Sequence, residues 1–176
     1  MKLRLEKWTA PITTLLLVTD SDGILRALEF GNLETRMDRL LRNHYGDYTL
    51  EEGSAPAPLK RALTAYFKGE LDALNAVQTA TGGTPFQREV WAALRKIPAG
   101  TTISYGKLAA NIGRNEASRA VGAANGANPI GIVVPCHRVI GANGSLTGYG
   151  GGLPRKKWLL DHEIRFREAP ASERLL

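Results

Sequence analysis

One cysteine in 176 residues, Cys136, is the feature that most restricts this chain. A lone thiol closes no intramolecular disulfide and cannot supply a site needing several thiolate ligands, so secreted disulfide scaffolds and zinc ribbons are excluded. The fold must then be held by burial. The length suits one domain or two small ones, and with 43% hydrophobic residues there is enough apolar side chain for a core. Residues 1–8 place charges among their apolar side chains, and the longest apolar stretch nearby is Leu15 to Val18. Neither a signal peptide nor a membrane span is expected, and the expected location is the cytoplasm.

The charge is unevenly distributed. Residues 1–85 carry 10 Lys+Arg against 11 Asp+Glu, whereas residues 86–176 carry 13 against 6, so the whole +6 surplus lies in the second half. A basic half joined to a neutral one suggests a polyanion partner, with DNA or RNA first. Ordinary surface charge kept for solubility is the alternative.

The first half reads as a small sheet followed by helices. Leu15–Val18 and Ile24–Phe30 flank Asp20-Ser21-Asp22-Gly23, a hairpin signal. Leu33, Met37, Leu40 and Leu41 then recur at helical spacing, with Arg36, Arg39 and Arg42 turned elsewhere. A Pro-rich stretch leads to a second helix carrying Leu59, Leu63, Tyr66 and Phe67. Nothing in residues 1–80 groups nucleophiles, acids or bases recognisably.

Past a glycine-containing linker, Thr84-Pro85 opens a helix with Phe86, Val90, Trp91 and Leu94 on one face. Ser104 can cap a helix bearing Leu108, Ala109 and Ile112, halted at Gly113. Another helix begins at Asn115 or Glu116 and runs through Arg119, Ala120 and Val121. Two short helices separated by about three or four residues that include Gly form the helix-turn-helix pattern. The second is poor in bulky side chains, which would let its backbone lie in a DNA groove, the narrow minor groove included. Tight packing inside the protein is the other reading.

Ile130–Val134 is a strand-like apolar run ending at Pro135, followed at once by Cys136-His137-Arg138-Val139. A thiol at the mouth of a buried strand, beside an imidazole and a guanidinium, is placed where its pKa can fall and a thiolate can form. A glycine-rich loop with Tyr149 follows and matches no phosphate-cradle pattern. Its backbone N–H groups and Tyr149 suit a pocket wall instead. Beyond it a helix carries Trp158, His162 and Glu163, and a buried Glu163 could orient His137.

Pro135-Cys136-His137-Arg138-Val139, with Ser104-Tyr105-Gly106-Lys107-Leu108-Ala109 and Ala117-Ser118-Arg119-Ala120-Val121-Gly122 at these separations, resembles the O6-alkylguanine-DNA alkyltransferase family, the bacterial Ogt type in particular. The resemblance runs from about Pro85 through Glu163. It implies an α+β fold, with a small N-terminal sheet and helices (RNase H-like) over residues 1–80 and a linker at 81–85. A mostly helical, winged-helix-like domain containing the helix-turn-helix would follow at 86–168, then a tail at 169–176.

It also implies roles. Cys136 would be the alkyl acceptor, His137 would relay its proton through a water, Glu163 would hold the imidazole, and Asn128 would stiffen the turn before the active-site strand. Arg119 would enter the base stack in place of an extruded guanine, with Ser118 and Ala120 beside it on the DNA. Tyr105 would help rotate the nucleotide and protonate the leaving guanine. Tyr149 and the carbonyls of Cys136 and Val139 would line the pocket, the Gly150 N–H would face O6, and Lys156 would act near Tyr105. Many relatives have Ser where this chain has Gly150, which suggests a slightly roomier pocket.

The implied reaction is a single-turnover transfer from O6-alkylguanine, with O4-alkylthymine as a second lesion. The implied partner is double-stranded DNA carrying the lesion, met by a monomer able to assemble cooperatively. No cofactor, metal or membrane is expected, since only His44 and no cysteine stand where some relatives build an N-terminal zinc site. A non-catalytic damage-binding protein that recruits other repair factors is the alternative.

Overall fold

The chain is described here over residues 1–168 of a computed structural model; the expected tail, 169–176, lies outside the described residues. Its architecture is mixed α+β. Strands β1 (Lys2–Thr9), β2 (Thr14–Thr19), β3 (Leu25–Phe30) and β4 (Thr49–Glu52) form one sheet in the order β3-β2-β1-β4. The expected hairpin is β2–β3, antiparallel, with Gly23 at φ 79 in its turn. There the Asp20 carboxylate accepts the N–H groups of Asp22 and Ile24, which closes the loop as an Asx turn.

β1 is a strand that the hairpin and helix signals leave out. Leu3 and Leu5 are buried between exposed Lys2 and Arg4, an alternation of period two that pairs antiparallel with β2. β4 runs parallel to β1 at the sheet edge and is mostly exposed, so pairing rather than burial defines it.

β2 is covered on both faces. Leu16 and Val18 join Leu3, Leu5 and Ala27 under Met37 and Leu41 of helix α1 (Glu34–Tyr45). Leu15 and Leu17 face the larger cluster, which takes in Leu59, Leu63, Tyr66 and Phe67 of α2 (Ala57–Phe67) and continues without a break into the second half of the chain. In the segment expected as a linker, residues 81–83 are half-buried and 84–85 exposed, and a Cβ at Gly82 would stand 2.7 Å from His44 Cβ.

The second half opens with α3 (Pro85–Leu94). Thr84 caps it in a reciprocal box with Gln87, which satisfies two N–H groups at the helix start. Helices α4 (Tyr105–Asn111), capped by Ser104, and α5 (Ser118–Gly126) pack on each other and on α3. α5 starts later than its sequence suggests. Residues 112–117 form the connection, and Ala117 N–H closes a turn on Arg114 O at 2.9 Å before the helix begins. Its small residues divide between an inward and an outward face. Val121 and Ala124 pack inward and the Trp91 indole donates to Ala124 O at 2.8 Å, while Arg119, Ala120 and Ala123 are exposed.

Ile130–Val134 is not a strand. Only Ile130 bridges to Leu28 of β3, after which Val134 N–H turns back to Ile130 O at 3.1 Å and Ile132 sits at φ 66. A β-branched residue rarely adopts that left-handed conformation, so the run is a strained turn rather than an extended segment. A 3-10 turn at Cys136–Arg138 and strand β6 (Val139–Ile140) follow, the latter parallel to β5 (Ile103–Ser104), and α6 (Leu153–Glu168) closes the structure. Among the described residues, no helix is long and apolar enough to cross a membrane.

Trp91→Phe keeps an aromatic ring but removes the indole donor from the Ala124 carbonyl, which retains only the Ala127 N–H at 3.2 Å. The expected loss is about 0.5–1.5 kcal/mol of stability, read as a lower urea midpoint at unchanged m-value.

Candidate active site

Cys136 stands at the start of the 3-10 turn, 7% exposed, where the strained turn delivers it. Asn128 organises that turn. Its side-chain oxygen accepts Ile130 N–H at 2.9 Å, and its amide donates to Val134 O at 2.8 Å and to Ile130 O at 3.3 Å. Asn125, on α5, donates to the Cys136 carbonyl at 3.4 Å.

His137 and Arg138 point into the interior, where both meet Glu163 of α6. His137 Nε2 lies 2.8 Å from Glu163 Oε2, and Arg138 clamps the carboxylate through Nε at 2.8 Å and Nη2 at 3.0 Å. The Tyr66 hydroxyl of α2 donates to the same carboxylate at 2.6 Å, the Gly100 N–H approaches at 3.4 Å, and Arg138 Nη1 reaches Ile97 O at 2.7 Å. Burial alone would push the Glu163 pKa up, but the attraction and hydrogen bonds of His137 and Arg138 outweigh it and hold the carboxyl well below its usual range. Facing an ionised carboxylate, His137 Nε2 carries the shared proton, and Nδ1 is buried with no partner among the described residues.

Two expectations about the thiol change. Burial is the largest influence and raises the Cys136 pKa, against a hydrogen bond from Asn128 and the positive charges of Arg36 and Lys156. The neighbouring guanidinium of Arg138 does not supply that charge, being committed to Glu163. In its place stands Arg36, from a helix whose arginines were expected to turn away from the core.

The other expected residues divide. Asn128, Cys136, Tyr149 and Gly150 line one small cavity, together with Arg36, Glu29 and Asn125. Tyr149 packs edge-on against Phe30, and its hydroxyl is buried without a partner among the described residues. Val139 and Lys156 do not line this cavity; the Val139 carbonyl accepts the Lys156 ammonium at 2.6 Å, which also holds Thr147 O at 2.7 Å. Lys156 is fully buried and thereby ties the glycine-rich loop to β6.

Tyr105, at the first turn of α4, lies against Gly122 of α5 rather than in the cavity. Ser118, Arg119 and Ala120 form the outer face of the α5 start and reach no cavity residue. Nor is the cavity roomier at Gly150. A Cβ there would come 2.7 Å from Arg36 Cζ, so the arginine already fills the space a side chain would take. Among the described residues, no three His, Cys, Asp or Glu side chains gather as metal ligands.

The fold and site together define a protein that holds one buried thiol, followed in the chain by a buried histidine paired with a glutamate, next to a helix pair with an exposed small-residue face. Residues 85–165 match the model of the 6-O-methylguanine DNA methyltransferase DNA-binding domain. Over 165 residues the chain is 55% identical to the methylated-DNA–protein-cysteine methyltransferase of Salmonella typhimurium, covering 93% of this chain and 96% of the relative. It superposes on the crystal structure of Mycobacterium tuberculosis O6-methylguanine methyltransferase with TM-score 0.75 at 41% identity, covering 96% of both chains. The M. tuberculosis structure in complex with DNA gives 0.74, covering 99% of both. The chain belongs to the methylated-DNA–protein-cysteine methyltransferase family.

Glu163→Gln keeps the shape and removes the charge, leaving Arg138 buried and unpaired, and should cost about 3–5 kcal/mol at pH 7. The sign with pH follows from a depressed carboxyl. Its stabilisation is present above the ordinary value of 4.5 and is lost as pH falls below it, so the wild type loses stability on acidification and the variant shows a flatter acid limb. Urea midpoints across pH 3–7 for both proteins check this.

Proposed function

We propose that this protein repairs alkylated DNA by moving the alkyl group from O6 of guanine, and from O4 of thymine in the same cavity, onto Cys136. Membership of the methyltransferase family supports this, as does the relative crystallised with DNA. The observation that carries the chemistry is the His137–Glu163 pair. A carboxylate held ionised by Arg138 fixes the ring so that its one unpartnered nitrogen is a base.

An alkyl group on O6 lies inside the duplex, so the nucleotide must leave the stack, at a cost of a few kcal/mol that a weakly paired lesion reduces. The exposed face of α5, with Ala120 and Ala123 as small as a minor groove requires, brings Arg119 to the base stack, where its side chain fills the gap. The Cys136 proton passes to His137 Nδ1 through one water. A thiol whose pKa burial raises needs that base at the moment of attack. The Sγ–carbon bond forms as the carbon–O6 bond breaks, the electron pair returns to the guanine, and Tyr105, on α4 outside the resting cavity, supplies the proton to a base that enters from that side. The resulting thioether does not hydrolyse, and no second cysteine can accept the group, so each molecule acts once.

Peptide mass spectrometry after incubation with duplex DNA bearing O6-methylguanine should find one methyl on Cys136 and the lesion gone. An unmodified Cys136 with the lesion intact would sink the proposal and leave a non-catalytic damage-binding protein in its place. Arg119→Ala should slow repair of duplex DNA by about 10-fold or more while sparing reaction with free O6-alkylguanine, since only the duplex requires flipping. Equal losses on both substrates would remove Arg119 from that role.

A further inference from the structure

The acceptor cavity takes part of its wall from the first half of the chain. Arg36, on α1, crosses to the Cys136 side and is fixed at three points: Glu29 Oε2 at 2.5 Å, Gly126 O at 2.7 Å and Asn128 O at 3.4 Å. A Cβ at Gly150 would come 2.8 Å from both Nε and Nη2 of this guanidinium. With the guanidinium in place the cavity is about 20 Å³, room for a water but not for a purine. An alkylated base can reach Cys136 only if this wall opens, and Arg36 is its long charged side chain.

The side chain is able to move. It is long and flexible, and its bond to the Gly126 carbonyl at the C-terminal end of α5 is open to solvent. A small displacement can keep the ion pair with Glu29, which is 3% exposed. A large one leaves that carboxylate buried beside an apolar substituent with nothing to compensate its lost partner.

We infer that Arg36 is a specificity-determining residue of the acceptor cavity, a movable cationic wall on the O6 side that limits the size of the alkyl group Cys136 receives. This rests on the alkyl-acceptor reading, in which the Gly150 N–H faces O6. Arg36 also offsets part of the burial that raises the thiol pKa, so its removal alters Cys136 itself. A ratio of two substrates attacked by the same thiol cancels that effect, and free bases cancel any change in DNA binding.

The experiment measures second-order rates of Cys136 alkylation by free O6-benzylguanine and free O6-methylguanine, by mass spectrometry, for the wild type and Arg36→Ala. The benzyl-to-methyl ratio should rise about tenfold in the variant, the scale on which pocket shape discriminates substrates. A rise under about threefold, no change or a fall overturns the inference. If Arg36→Ala does not fold, Arg36→Met, which keeps the aliphatic stem but cannot bridge Glu29 and the two carbonyls, must meet the same criterion. A wild type that reacts only with DNA has the same ratio measured on duplexes bearing O6-benzylguanine and O6-methylguanine; one that accepts neither group from free base or duplex overturns the alkyl-acceptor reading and the inference with it, whereas a reactive wild type with an unmoved ratio overturns the inference alone.

Discussion

The buried carboxylate of Glu163 is the point on which the site is built. Three separate stretches of chain converge on it from outside α6: Tyr66 from α2, the Gly100 backbone and the His137-Arg138 pair. A lone carboxylate this deep would be costly, and Arg138 makes it tolerable by a two-point clamp whose remaining donor is spent on Ile97 O. The consequence is positional as much as electrostatic. Because Arg138 and His137 are adjacent, holding one fixes the other, and the Cys136 backbone just before them has little freedom left.

The sheet supplies the second constraint. The outer edge of β3 does not end in solvent, since Leu28 exchanges hydrogen bonds with Pro129 and Gly131 at 3.1 Å and 3.0 Å. The turn that carries Ile132 at positive φ is thereby tethered on one side by the sheet and on the other by Asn128. Strain of this kind persists only where the surroundings overdetermine it. The first half of the chain, which carries no recognisable chemistry by itself, thus furnishes the sheet edge, the Tyr66 hydroxyl and the Arg36–Glu29 pair around the thiol.

How much of this could be read beforehand differs by residue. The hairpin, the caps at Thr84 and Ser104 and the Cys136-His137 segment are local patterns, and local patterns are legible. Ile130–Val134 misled because an apolar run of strand length says nothing about a left-handed residue in its middle, which only tertiary tethering imposes. Arg36 left a signal that went unused. It lies three residues after Leu33 and four before Leu40, on the buried face of its helix, where a charge needs a partner. Glu29, inside a strand whose other face is also covered, is that partner. Tyr66 passed for a plain core aromatic because its hydroxyl finds its acceptor across 97 residues of sequence.

Under the proposed function, the raised thiol pKa is best understood against single use. On that reading, an acceptor that can never be regenerated would lose function with every stray electrophile or oxidant it met, since reactivity toward both follows the thiolate. Burial that keeps Cys136 protonated, with a wall of Arg36 across a cavity admitting only water, suppresses that loss at rest. The base proposed at His137 is held by an ionised Glu163, so on the same reading the thiol does not have to be permanently activated to be competent. In the proposed reaction a depressed resting pKa would spend the one sulfur idly, whereas a high one with a positioned base would reserve it for the alkyl group delivered next to it.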